Sequence, residues 1–312
     1  MLCAATLAAQ PPARISVDVN LVRAVATVKT RAGQIVGTLQ KDDFEIFDNG
    51  VRQEIRVFEH QTEQKLSVAL LVDISGSTAK DLKYETDSAS RFLHALLREG
   101  NPEDKVALYT FNYEVTLEKN YSRDLRSIDA KLKLLKGEAG TALYDAVYLA
   151  GLSLEPREGR KVMVIITDGG DTFSKRNLKS ALEQAQLADA VIYPIVVVPI
   201  TNEAGRNVGG EHALQFMAEG TGGRTFFPSV GAALDKTFDD IITELRTQYL
   251  LAFYPHDVPL TKERFHKLDV RVKRPDLQVS ARNGYYGEVE RGSGAPDDRV
   301  TIAPDRQQKK KQ

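Results

Sequence analysis

From Arg14 the chain alternates, with Ile15, Val17, Val19 and Leu21 separated by Ser16, Asp18 and Asn20. That period of two is the pattern of a strand with one buried face. Ala24 to Lys29 continues it toward a turn at Ala32-Gly33-Gln34. Phe44-Glu45-Ile46-Phe47 and Val51 to Phe58 then flank Asp48-Asn49-Gly50. Asn-Gly between β-rich runs predicts a hairpin, because both residues tolerate positive φ. Residues 14–62 therefore read as a small antiparallel β module behind a short leader, residues 1–13.

The character changes at Leu66. Leu66 to Val72 is almost unbroken apolar sequence, as are Val106 to Tyr109, Val162 to Ile166 and Val191 to Val198. Such runs suit strands covered on both faces. Leu82, Ala89, Phe92, Leu93, Leu96 and Leu97 recur at helical spacing, as do Leu178, Ala181, Leu182, Ala185 and Leu187. Strands alternating with helices predict an α/β domain over residues 65–254, a doubly wound, mostly parallel sheet flanked by helices. After Tyr254-Pro255 the period of two returns in Leu268, Val270 and Val272, with a turn at Pro275-Asp276 before Leu277 to Ala281. Two strands alone bury too little to be stable. The predicted hairpin within 260–287 should therefore dock on residues 14–62, making one β module from both chain ends. Residues 288–312 lose the apolar pattern, end in Lys309-Lys310-Lys311 and read as a disordered tail.

At 312 residues the chain has room for one large core and a satellite. A formal charge of −1 gives no electrostatic case for nucleic acid or anionic membrane as partner. No run approaches the roughly 18 apolar residues of a transmembrane helix. The single cysteine, Cys3, leaves no disulfide framework and no thiolate metal site. Met1 to Pro11 looks like the second half of a secretory signal whose basic start is missing, so the expected location is secreted or periplasmic. Oligomeric state is not legible.

Candidate chemistry gathers where an open parallel sheet holds its ligands, beyond the C-terminal strand ends. The first apolar run leads into Asp73-Ile74-Ser75-Gly76-Ser77, another into Thr167-Asp168-Gly169-Gly170-Asp171, and Gly140-Thr141 opens a helix between them. Carboxylates and hydroxyls at one rim are all oxygen donors. Mg²⁺ wants about six oxygens at roughly 2.0–2.1 Å. Neutral hydroxyls fill positions without adding charge, which leaves the ion able to accept an external carboxylate.

Asp-x-Ser-x-Ser after a buried strand, a later Gly-Thr before a helix and Thr-Asp-Gly after another strand resemble the metal-ion-dependent adhesion site of von Willebrand factor type A domains. Asp73, Ser75, Ser77, Thr141 and Asp168 match that motif, while Thr78 stands where methionine is frequent. Asp42-Asp43-Phe44, Asp48-Asn49-Gly50, Gln248 to Leu251 and Asn283 to Tyr286 look like flanks of an exported bacterial subfamily, so the resemblance spans most of residues 14–287. It implies a protein-binding module that holds Mg²⁺, with Mn²⁺ or Ca²⁺ as alternatives, on those five residues. A partner protein would then supply an acidic side chain to the ion.

Taken singly, each residue has a plainer reading. Ser75 or Ser77 suits a helix N-cap, Thr141 a cap for the next helix, Asp73 a strand-end acceptor and Asp168 a turn residue. Asp171, Glu138 and Asp145 read as solvated surface acids. Five such residues at strand ends are harder to explain as caps. Enzyme motifs are missing: there is no Gly-x-Ser-x-Gly, Gly-x-Gly-x-x-Gly or Walker Lys. His60, His94, His212, His256 and His266 follow no zinc-like spacing. A Mg²⁺-dependent hydrolase acting on phosphates or esters is the alternative function.

Overall fold

The computed structural model describes residues 21–60, 64–76, 78, 81–137, 139–197, 207–258 and 264–287. Several sequence expectations lie outside the described residues: the leader 1–13, the strand positions Ile15 to Val19, Ser77, Glu138, Val198 and the tail 288–312.

Both chain ends build antiparallel sheets. The strands are β1 (Val22–Thr30), β2 (Phe44–Asp48), β3 (Val51–Gln53) and β4 (Val57–His60), joined from the far end by β10 (Tyr249–Phe253), β11 (Phe265–Val272), β12 (Leu277–Ala281) and β13 (Gly284–Tyr286). They form two four-stranded sheets, ordered β12-β1-β10-β4 and β13-β11-β2-β3. Val22, Ala24 and Val28 of one sheet pack with Phe44, Ile46, Leu268 and Val270 of the other, which is the aligned core of a sandwich. The β2–β3 hairpin turns on Asn49 and Gly50, with φ of 46° and 84°. Both central residues are left-handed, as a two-residue type I′ loop requires.

The predicted C-terminal hairpin takes a different form. β11 pairs with β2 and β13, whereas β12 pairs with β1, so consecutive strands go to different sheets. The sequence period reports which face is buried and not which strand lies alongside. For the same reason Tyr249–Phe253, grouped by its unbroken apolar run with the α/β unit, is hydrogen-bonded between β1 and β4. It is buried on both faces because one faces the sandwich core and the other the α/β domain.

Between these ends lies the α/β domain. Its strands are β5 (Leu66–Asp73), β6 (Lys105–Phe111), β7 (Val115–Ser122), β8 (Arg160–Thr167) and β9 (Ala190–Val196). Its helices are α1 (Leu82–Glu99), α2 (Leu125–Leu132), α3 (Leu143–Leu154), α4 (Leu178–Leu187), α5 (Val208–Thr221) and α6 (Ala232–Thr247). The sheet order is β7-β6-β5-β8-β9, parallel except for the antiparallel edge strand β7. Along β5, Val68, Leu70 and Val72 enter the core beneath α1 and α6, while Ala69 and Leu71 enter the core beneath α3, α4 and α5. A strand covered on both faces must be apolar at every position, which is what Leu66 to Val72 encodes.

A buried polar junction ties the two units. Glu244 of α6, 1% exposed, accepts from Lys29 Nζ of β1 at 2.7 Å, Arg224 Nε at 2.9 Å and Tyr193 OH at 3.3 Å. Gln248 Nε2 donates to Thr27 Oγ1 at 2.9 Å and Tyr193 OH at 2.8 Å. α6 thus runs straight into the sandwich with its last turn bound from both sides.

Candidate functional site

The chain crosses to opposite sides of β5, placing β6 on one flank and β8 on the other. That reversal opens a crevice at the C-terminal strand ends, the position where such sheets hold ligands. Asp73 closes β5 and is fully buried. Its Oδ1 accepts from the Ser75 amide at 2.8 Å, and its Oδ2 from Thr167 Oγ1, at the end of β8, at 2.6 Å. The Ser75 hydroxyl bonds to it as well. Burial raises the Asp73 carboxyl to about 6 despite those bonds, and the nearby Asp168 charge pushes it further up.

Thr141 joins this rim through its backbone. The Ala142 amide donates to Asn112 O at 2.6 Å, and the Thr141 carbonyl accepts from the amides of Thr172 at 2.9 Å and Phe173 at 3.1 Å. Loops after β6 and β8 therefore bracket it. α3 begins at Leu143 on Ala142 without a side-chain cap, and α1 is preceded by Asp81. Neither Thr141 nor Ser75 is spent as a helix cap. Among the described residues nothing donates to the Asp168 carboxylate or bonds the Thr141 hydroxyl, so both present free oxygen lone pairs. The remaining matched residue, Ser77, lies outside the described residues.

Glu85 is the residue that sequence reasoning missed. It lies on α1, is 1% exposed, and its Oε2 has no hydrogen-bond partner. Burial raises its carboxyl to about 8, with further repulsion from Asp73, Asp168 and Asp81. The signal was available: Glu85 falls within the stripe set by Leu82, Ala89 and Phe92, where an acid is out of place. Buried carboxyls facing one another without a cation are costly. An orphaned acid oxygen behind Asp73 is the observation by which the site fits a divalent ion. Among the described residues no three His, Cys, Asp or Glu form a ready cation cluster, so a bound ion would depend on hydroxyl donors too.

The surface-acid reading of Asp145 and Asp171 is corrected. Asp145, 7% exposed, accepts from the Lys175 and Arg176 amides at 3.0 and 2.9 Å, and Asp171 accepts from the Tyr144 and Ser174 amides at 3.1 and 3.2 Å. They shape the loop beyond Asp168. His266 packs as a structural group, with Nδ1 3.1 Å from Asp48 Oδ1. On the same face Tyr113 and Phe173 are 47% and 59% exposed, with rings 6.3 Å apart edge to face.

A doubly wound α/β domain with an oxygen-lined rim at its switch point defines the class. Residues 68–170 match the family model of the von Willebrand factor type A domain, and the chain carries a domain of that family. Among solved structures it is similar to proximal thread matrix protein 1 from the mussel byssus, with its zinc-occupied MIDAS motif. That likeness has 18% identity and a TM-score of 0.50, covering 64% of this chain and 49% of that one. The vWF domain of the type V pili tip protein Mfa5 from Porphyromonas gingivalis is 14% identical at a TM-score of 0.47, covering 58% and 95%. The PilB minor pilin from Streptococcus sanguinis is 15% identical at 0.47, covering 60% and 62%. The match thus spans about half of the mussel protein and less than two thirds of the pilin. At 18% identity the mussel likeness speaks to fold alone. No curated protein matches the chain.

Proposed function

We propose that the chain is a divalent-cation-dependent protein-binding module. In this reading Asp73, Ser75, Ser77, Thr141 and Asp168 hold Mg²⁺, with Mn²⁺ or Ca²⁺ as alternatives, and an acidic side chain from a partner protein completes the coordination. The observation that carries it is geometric: Asp73 is fully buried at the end of β5, held by the Ser75 amide and Thr167, with the unpartnered Oε2 of buried Glu85 near it. Added to this are the unengaged oxygens of Thr141 and Asp168 at the same rim. When bound, the ion would supply an electrophilic position for an external carboxylate. The chain's own work is to pre-orient Asp73 through Thr167 and Ser75 and to keep donors of low total charge around it.

One feature supports a protein as the occupant. The rim carries the exposed aromatic rings of Tyr113 and Phe173, which suit a partner burying apolar surface beside its acid. The mussel relative's motif holds zinc, so Zn²⁺ belongs among the ions tried. Pull-down from an envelope extract should capture a partner in Mg²⁺ and release it in chelator, and Asp73→Ala should not capture it. A generic phosphatase and esterase screen is the counter-test. Robust turnover that vanishes in Asp73→Ala would overturn the binding reading.

A further inference from the structure

At the opposite edge of the α/β sheet from Asp73, a narrow cleft opens where the sandwich meets the N-terminal ends of β8 and β9. Arg23 of β1, Leu250 of β10 and Arg282 just after β12 line the sandwich side, and Arg160, Lys161 and Asp189 the α/β side. Its cavity volume is about 50 Å³. A water needs roughly 10–15 Å³ by this measure. The space therefore suits a few waters or one compact oxyanion, and excludes a nucleotide or a sugar.

Charge chooses between those occupants. Arg23, Arg160, Lys161 and Arg282 face a single acid, Asp189. Arg160 and Arg282 are only 6% and 9% exposed. Arg160 donates to the Leu245 carbonyl and to Gln248 Oε1, both neutral, and no described carboxylate pairs with it. Arg282 pairs through Nη1 with Asp189, while its buried Nε has no partner. Lys161 Nζ donates to the Glu155 carbonyl at 2.7 Å, again a neutral acceptor. Within the cleft four cationic side chains face one acid, and that local excess of positive charge favours an anion over neutral waters. Burial holds Arg160 down at about 10 against the charge of Asp104, and lowers Lys161 against the charges of Asp189 and Glu155.

We propose that this cleft is an oxyanion site for one phosphate-sized group, either inorganic phosphate or the head of a phosphate monoester, bound by the Arg282 Nε–H and the Arg23 guanidinium. The site shares no residue with the Asp73 rim and stands independently of the cation reading. Arg23 of β1 and Arg282, just after β12, both belong to the sandwich, and Asp189, the partner of Arg282, precedes β9, so the anion would sit at the seam of the two units.

The test is calorimetry and thermal denaturation of the full chain in chelator, with inorganic phosphate titrated against chloride at matched ionic strength. Saturable binding with a rise in Tm is expected for phosphate and not for chloride. Arg282→Gln should weaken it by about tenfold, since a charge-assisted bond is lost. Arg23→Gln, at an exposed position, should weaken it severalfold without altering the fold, and it carries the test if Arg282→Gln does not fold. Glycerol phosphate provides the second arm: tighter binding than phosphate assigns an ester head, weaker binding the free ion. No saturable binding of either probe, or affinity unchanged in the variants, would overturn the proposal.

Discussion

Glu85 sits one helical turn above Ala89 on the buried face of α1, near Asp73 and Asp168, and its raised carboxyl makes stability depend on pH. An acid whose folded value lies above its unfolded value keeps its proton longer in the native state. Its contribution is full below about 4.5 and is lost as pH rises through about 8. Asp73 acts in the same direction over the narrower window from 3.8 to about 6. In chelator the wild-type Tm should therefore fall between about pH 5 and pH 8.5, and Glu85→Gln should remove most of that fall and raise Tm at the alkaline end. An unchanged pH profile in Glu85→Gln, measured by thermal denaturation, would show that Glu85 is not the group responsible. Much of this rim was legible in the chain, since Asp73 and Asp168 each follow an apolar strand and Thr141 precedes a helix. Glu85 was not, because the eye follows the apolar members of a stripe and passes over the acid among them. Asp145 and Asp171 were misread because a loop's internal amide acceptors look, in sequence, like any exposed acid.

At the scale of elements, α6 is tied to both units. Its Glu244 meets Lys29 from the sandwich and Arg224 from the α/β domain, and Gln248 continues the contact to Thr27 of β1. Removing a buried acid strands its cations, although Lys29 and Arg224 are partly exposed and can hydrate. Glu244→Ala should cost about 3 kcal/mol in urea unfolding, with both units melting less cooperatively. A loss below about 0.5 kcal/mol, the level of an unremarkable surface change, would show that the junction adds nothing. The helices α1 and α4 and the four parallel strands of the α/β sheet were readable because a 3.6 period, or its replacement by an unbroken apolar run, follows directly from how many faces are covered. The edge strand β7 was not: Val115–Ser122 is mostly half-buried and carries Glu118, Lys119 and Asn120, so neither pattern appears. β10 shows the converse failure, an unmistakable strand whose sheet the pattern does not name.

For the whole molecule, the sandwich exists only because both chain ends reach it: β1 lies between β12 and β10, and β11 lies between β13 and β2. The joining of the ends was expected, because a lone C-terminal hairpin buries too little apolar surface to stand unaided. Which strand would sit in which sheet was not, since an alternating strand fits either sheet of a sandwich equally well. This arrangement leaves the Asp73 rim at the free end of the α/β sheet, away from the sandwich, so a partner can approach it. The central claim is that this rim binds a divalent cation. Titration calorimetry of Mg²⁺ into chelator-stripped protein, above about pH 8 where Asp73 and Glu85 are ionised, tests it most directly. A saturable heat with a matching rise in Tm is expected for the wild type, a weaker one for Thr141→Ala, and none for Asp73→Ala or Asp168→Ala. No heat and no shift in Tm for the wild type with Mg²⁺ or Mn²⁺ at millimolar concentration would contradict the account.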